Sequence, residues 1–244
     1  MKYIFLIFGL LRITHLSGQD YSIVYKFNPY VVDINKAMGG ESNVPLDTTN
    51  YVMFCSLHIH GDKSLFTKDS ILLIDSITDN KTMWVYSNQY YKDFENDLFV
   101  QTSGSFKQNH CYSDKLSSLY REQAKFWTYS DEKKNIINFQ CKRAIAGDQI
   151  AWYSDQINVK DGPSYGTYGL PGLILELESE SGIYTAIKII QSTSKIDFLI
   201  PQNQTKDQMS IYAPISSNSS SGADGTFIKL NKNTPTNTWL KFKY

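Results

Sequence analysis

From residue 20 onward, apolar and polar positions alternate with a period of two, the spacing that turns one face of a strand toward a core. Tyr21, Ile23, Tyr25 and Phe27 fall on one side of the first such segment, with Ser22 and Lys26 on the other. Residues 51–60 repeat the pattern, Gly61-Asp62 interrupts it and residues 63–67 resume it, which predicts a hairpin. Two further strands are predicted at 71–77 and 83–86 around Thr78-Asp79-Asn80-Lys81, and another at 98–102. Strands at 126–129, 136–144 and 149–154 follow, with turns at Asp131-Glu132-Lys133-Lys134 and Gly147-Asp148. Residues 173–178 alternate strictly, Ser181-Gly182 turns the chain, and 183–190 returns; segments at 197–200, 208–215, 226–230 and 239–244 complete the series. Only residues 113–124 carry apolar side chains at helical spacing, through Leu116, Leu119 and Tyr120. Residues 33–50, 159–172 and 216–225 read as loops. This pattern predicts a mainly β fold: one domain over 20–244, a curved antiparallel sheet or half-barrel of about ten to twelve strands, with at most one or two short helices. No internal repeat and no linker between two cores is visible.

Residues 1–19 read differently. A basic start at Lys2, an apolar run over 3–11 and the small residues Ser17-Gly18 predict a secretory signal peptide cleaved near Gln19. The run is too short to span a bilayer and is interrupted by Arg12, Thr14 and His15; no later stretch is long enough to cross as a helix. The closest cysteine to the cleavage point is Cys55, so the chain does not read as a lipoprotein. Export to the periplasm, the cell surface or the medium is the expectation. Lys plus Arg number 24 against 24 Asp plus Glu, a balance that excludes a nucleic-acid partner held by bulk charge. An oxidising compartment permits at most one intrachain disulfide among three cysteines. Cys111 and Cys141 are the expected pair, because both lie near the ends of aromatic-rich segments. Cys55 alternates with Met53, Leu57 and Ile59 and reads as a small buried hydrophobe.

Candidate chemistry is sparse. Gly162-Pro163-Ser164-Tyr165-Gly166 has the spacing of a nucleophile elbow, but no apolar strand precedes it and His15, His58, His60 and His110 all come before Ser164, against the order that elbow requires. A His, Asp, Ser order with His58 or His110 has nothing else in its favour. His58 and His60 share a strand face and could approach one metal ion, yet no further ligand is fixed by spacing, and two polar residues beside a turn is the simpler account. Glu176, Glu178 and Glu180 form the polar side of a strand whose other side is Leu173, Leu175 and Leu177. No catalytic residue, metal site or cofactor is assigned, and no phosphate loop, dinucleotide fingerprint or calcium loop occurs.

The loop at 159–172 carries more information. Asp161-Gly162-Pro163, then Gly169-Leu170-Pro171-Gly172-Leu173-Ile174, resembles the signature of the GLPGLI family, a Porphyromonas-type family of unknown function. Upstream, Trp127, Cys141-Lys142-Arg143-Ala144 and Ala151-Trp152-Tyr153 also fit that pattern, so the resemblance covers about 126–190. The spacing at Gly166-Thr167-Tyr168 departs from it. The resemblance implies an exported protein of a two-membrane bacterium and no established activity. Physically, Pro171 fixes its own φ while Gly169 and Gly172 allow φ values other residues resist, which suits a defined corner. The expected function is a non-enzymatic envelope protein that binds or carries an apolar ligand or a protein segment, with Trp84, Trp127, Trp152 and Tyr168 lining the concave face. An envelope hydrolase using Asp155, Asp161 or Glu176 is one alternative, and an interaction module docking to an outer-membrane assembly is another.

Overall fold

The computed structural model describes residues 20–30, 51–74, 81–85, 89–105, 108–118, 127–164, 167–192, 210–212, 220–222, 225–230 and 239–243. The segment expected as a signal peptide, the loop expected at 33–50 and the strand expected at 197–200 lie outside them. The strands are β1 (Asp20–Pro29), β2 (Tyr51–His60), β3 (Lys63–Leu73), β4 (Lys81–Val85), β5 (Tyr90–Asp93), β6 (Leu98–Ser105), β7 (Gln108–Lys115) and β8 (Thr128–Ile136). They continue as β9 (Phe139–Ala146), β10 (Gln149–Ser154), β11 (Leu173–Ser179), β12 (Gly182–Ser192), β13 (Ser210–Tyr212), β14 (Ser220–Gly222), β15 (Gly225–Leu230) and β16 (Trp239–Lys243).

Eleven of these make one antiparallel sheet in the order β7-β6-β5-β3-β2-β1-β12-β11-β10-β9-β8. The sheet is open: β7 and β8 are its ends and do not meet. β3 is long enough to hold β5 along Lys63 to Phe66 and β16 along Ser70 to Leu72, and β13 pairs with β16. β14, β15 and β4 form a second, small sheet, whose β15 lies against β6. The central junction pairs β1 with β12, bringing the two halves of the chain together across the middle of the sheet.

Alternation sorts the side chains as the sequence requires. Ile23 pairs with Leu57 and Tyr25 with Cys55 across β1 and β2, and all four are fully buried on the inner face. The same face continues through Phe66, Tyr90 and Phe99 on one side and Tyr184, Leu177, Ala151 and Ala144 on the other, forming one core. Phe27 and Tyr184 lie 4.3 Å apart between ring centroids, so aromatic packing links neighbouring strands there. The opposite face is polar and half-exposed at Ser22, Lys26 and Thr185.

Several boundaries differ from the sequence reading. β3 runs unbroken from Lys63 to Leu73, where separate strands at 63–67 and 71–77 are expected from the pattern, because it pairs with β2 along its whole length. β8 runs through Asp131-Glu132-Lys133-Lys134 instead of turning there, because a bulge between Ser130 and Lys133 absorbs the irregular residues; the turn comes at Ile137 and Asn138, both with positive φ. Residues 113–115 belong to β7, and the helical spacing beyond them is realised as a single turn at 116–118 among the described residues. β5 escaped notice because Tyr90-Tyr91-Lys92-Asp93 is buried on both faces and so shows no alternation.

The face assignment predicts that Ile23→Ala lowers unfolding stability by about 2–5 kcal/mol. Ile190→Ala, on the opposite face and 43% exposed, should cost less than about 0.5 kcal/mol. Urea midpoints of the two variants test this directly.

Candidate functional site

The registers place the Gly61-Asp62 turn, the 94–97 turn, the helical turn at 116–118 and the connection from β10 to β11 at one end of the sheet, with the Gly147-Asp148 turn at the other. The connection, residues 155–172, does not stay on the rim. Ile157 and Leu170 are 1% and 0% exposed and join Leu173, the first residue of β11, in the core of the inner face. A buried loop must satisfy its own backbone: Leu173 N donates to Ile157 O (3.2 Å), Gly169 N to Lys160 O (3.0 Å) and Ile174 N to Asp161 O (2.9 Å). Three side chains then tie the loop to the rest of the molecule. Tyr25 OH donates to Ile174 O at 2.7 Å, Tyr168 OH donates to Leu116 O at 2.6 Å, and Lys92 Nζ pairs with Asp161 Oδ1 at 2.5 Å.

The two motif glycines have different reasons. Gly169 has a φ of +93°, as expected. Gly172 is required by space: a Cβ there would stand 2.1 Å from Ser154 O, because the loop crosses directly over the end of β10. Pro171 is exposed at the corner between them.

Lys92 projects from β5 onto the inner face beside Phe99, its cross-strand partner. Its side chain is 1% exposed and that of Asp161 0%, and its ammonium sits 5.3 Å from the ring centroid of Tyr168. Charged groups are almost never this buried unless paired. Above this pair the surface opens into two clefts that share Phe94 and Lys160. One, of about 390 Å³, is lined by Ile59, Asp62, Phe94, Asn158, Val159 and Lys160. The other, of about 200 Å³, lies among Phe94, Asp97, Leu116, Ser117, Lys160 and Tyr168. Phe94 meets Tyr168 edge to face at 6.1 Å. The turn that carries Phe94 is fixed by Asp93, whose carboxylate accepts from Asn96 N (3.0 Å) and Nδ2 (2.9 Å). Asp97 accepts from Ser117 N at 2.6 Å and Oγ at 2.7 Å, clamping the helical turn to the same rim.

The residues singled out from sequence do not gather into one lining. Tyr168 borders a cleft, whereas Trp127 is buried in the core with its Nε1 unpartnered among the described atoms. Trp152 lies on the face opposite Ala151 and Tyr153, under Lys134 at 4.3 Å, and the side chain of Trp84 lies outside the described residues. Cys111 and Cys141 form no disulfide, and Cys55 forms none either. Cys111 is on the edge strand β7 while Cys141 is on β9, near the other edge, so the sheet order separates the expected pair. Burial raises the Cys141 thiol to about 11. The three candidate acids are each held by a different lysine: Asp155 by Lys142 at 2.6 Å, Asp161 by Lys92 and Glu176 by Lys134. Ser164 takes a φ of 78° in the loop before β11.

A polar group on the opposite face was partly visible in the sequence. His58 Nδ1 contacts Ser22 Oγ at 3.2 Å, and His60 Nδ1 contacts Asp20 Oδ1 at 2.6 Å. Asp69, the extra residue where β3 bulges against β2, accepts from Ser56 and Thr67. Burial pushes the Asp69 carboxyl up and the His58 imidazole down. Among the described residues, no three His, Cys, Asp or Glu side chains are grouped so as to hold a metal ion.

No family model matches this chain, and no curated protein does. Two crystal structures of PNGF-II, in space groups C2 and P21, are similar over 74% of this chain at 18% identity, with TM-scores of 0.46 and 0.47. The chain spans 29% of the length of the PNGF-II chain.

Two outcomes are expected. Gly172→Ala should abolish the cooperative native transition, because backbone on both sides cannot retreat by the distance required. Gly147→Ala, at a φ of +59° with nothing within 4 Å of its Cβ, should cost about 1–2 kcal/mol; thermal melts separate the two. For His58, the unfolded imidazole protonates first as pH falls below its ordinary 6.5, so its contribution to stability is complete above that value and is lost between it and the lower folded value. Melting temperatures between roughly pH 7.5 and 5 should fall less steeply in His58→Gln than in the parent chain.

Proposed function

We propose that this chain is an exported, non-enzymatic binding module of the cell envelope, of the GLPGLI type, which receives an extended segment of another envelope protein in the clefts around Phe94 and Lys160. The observation behind this reading is what fills the inner face of the open sheet. A carrier of an apolar ligand needs an enclosed apolar space, and here Ile157 and Leu170 of the chain's own loop occupy that position. The open space adjoining the loop is of mixed character instead. Phe94, Val159 and Leu116 offer apolar contact, while Asp62, Asn158 and Lys160 offer charge and hydrogen bonds at the same rim. An extended peptide presents that combination, alternating side chains and polar main chain. The hydrolase reading has less support, since its three acids are neutralised separately and Asp161 is closed to solvent.

A photo-crosslinking amino acid in place of Phe94 tests this in the producing cell, with the same group in place of exposed Asp148 at the other end of the sheet as the control. A discrete polypeptide adduct is expected from position 94 and none from 148. A lipid adduct, equal labelling from both positions, or none at all would overturn the reading.

A further inference from the structure

We propose that Lys92 and Asp161 condense into an intramolecular amide, a side-chain crosslink between β5 and the loop that fills the sheet. The case rests on the number of hydrogen-bonding sites left unmet in this pair. An ammonium carries three donors and a carboxylate offers two oxygens. Among the described residues the Lys92 ammonium has one hydrogen-bond acceptor, Asp161 Oδ1 at 2.5 Å, and Asp161 Oδ2 is buried with no partner. The ionic form thus leaves donors and an acceptor unmet in a site where both side chains are at most 1% exposed, the situation in which desolvation outweighs mutual attraction. An amide has one N–H and one carbonyl oxygen and no charge.

Water normally opposes this condensation, because it solvates the separated ions far better than the amide. Burial removes that advantage. The step is balanced within the pair. One ammonium proton moves to the carboxylate along the 2.5 Å hydrogen bond, giving an amine and a carboxylic acid. The Nζ lone pair then attacks Asp161 Cγ, and one C–O bond breaks. The departing oxygen takes a second nitrogen proton and leaves as water, and the Nζ–Cγ bond remains. Tyr168, whose ring centroid lies 5.3 Å from Lys92 Nζ, also lines the cleft with Phe94 and Lys160, and the water leaves toward that side. The product would bridge positions 69 residues apart in sequence and lock the loop in place.

The experiment is intact mass spectrometry of the denatured full chain, with Lys92→Arg as the reference, followed by tryptic mapping. The expected result is a parent chain lighter by one water than its composition, a Lys92→Arg chain at full mass, no cleavage after Lys92, and a branched peptide joining the segments around 92 and 161. A parent chain of full mass that is cleaved after Lys92 overturns the proposal. So does a missing water that maps to a linear peptide, the cyclic imide open to Asp161-Gly162; that species would persist in Lys92→Arg and break with hydroxylamine.

Discussion

The apolar inner face of this sheet is covered by a loop of its own chain, and the molecule depends on that loop coming close enough. That approach is possible because Gly172 has no side chain: its backbone passes so near the end of β10 that a Cβ would stand 2.1 Å from Ser154 O. With the crossing made, Leu170 and Ile157 drop into the apolar face, and burial of their surface offsets the ordering of a loop rich in glycine. The polar consequences follow in turn. A buried loop needs partners for its backbone, which the contacts to Ile157, Asp161 and Lys160 supply, and it needs anchors, which Tyr25 and Lys92 of the sheet and the loop's own Tyr168, bonded to Leu116 O, supply.

The proposed partner site rests on the same arrangement. The two clefts lie at the end of the sheet where three turns and the helical segment meet around Phe94 and Lys160. Each contributing piece is fixed locally, by Asp93 within its own turn and by Asp97 against Ser117. Such a rim can be both preorganised and exposed, which a docking surface requires. The edges of the sheet are less accommodating on one side: β8 ends the sheet with a bulge and the charges of Asp131, Glu132 and Lys133, features that discourage further strand pairing.

The fold and the site were legible to very different degrees. Alternation in 21–27 and 51–60 gives β1, β2 and the buried identity of Ile23 and Leu57, and the Gly61-Asp62 turn follows from composition. Asp161 and the Gly/Pro motif could be marked as unusual, but Lys92 could not, since a lysine in a short tyrosine-rich segment looks like any solvated strand residue. The four aromatic residues chosen as a lining illustrate the same limit. Being large and apolar does not say which side of a sheet a residue takes, and Trp152 pairs with Glu176 and Arg143, only partly buried where it packs against the core.

Strand character, the two-faced pattern that produces one core, and the tight corner at Gly169 and Pro171 are all readable from the order of residues. Those are short-range properties, set by side-chain period and by backbone steric freedom. Tertiary structure alone decided that β1 pairs with β12, that β7 and β8 remain apart as open edges, and that the motif loop turns inward to meet Lys92 across 69 residues. These depend on which distant surfaces can cover one another, and that is a matter of shape and closeness in space that a local pattern does not encode.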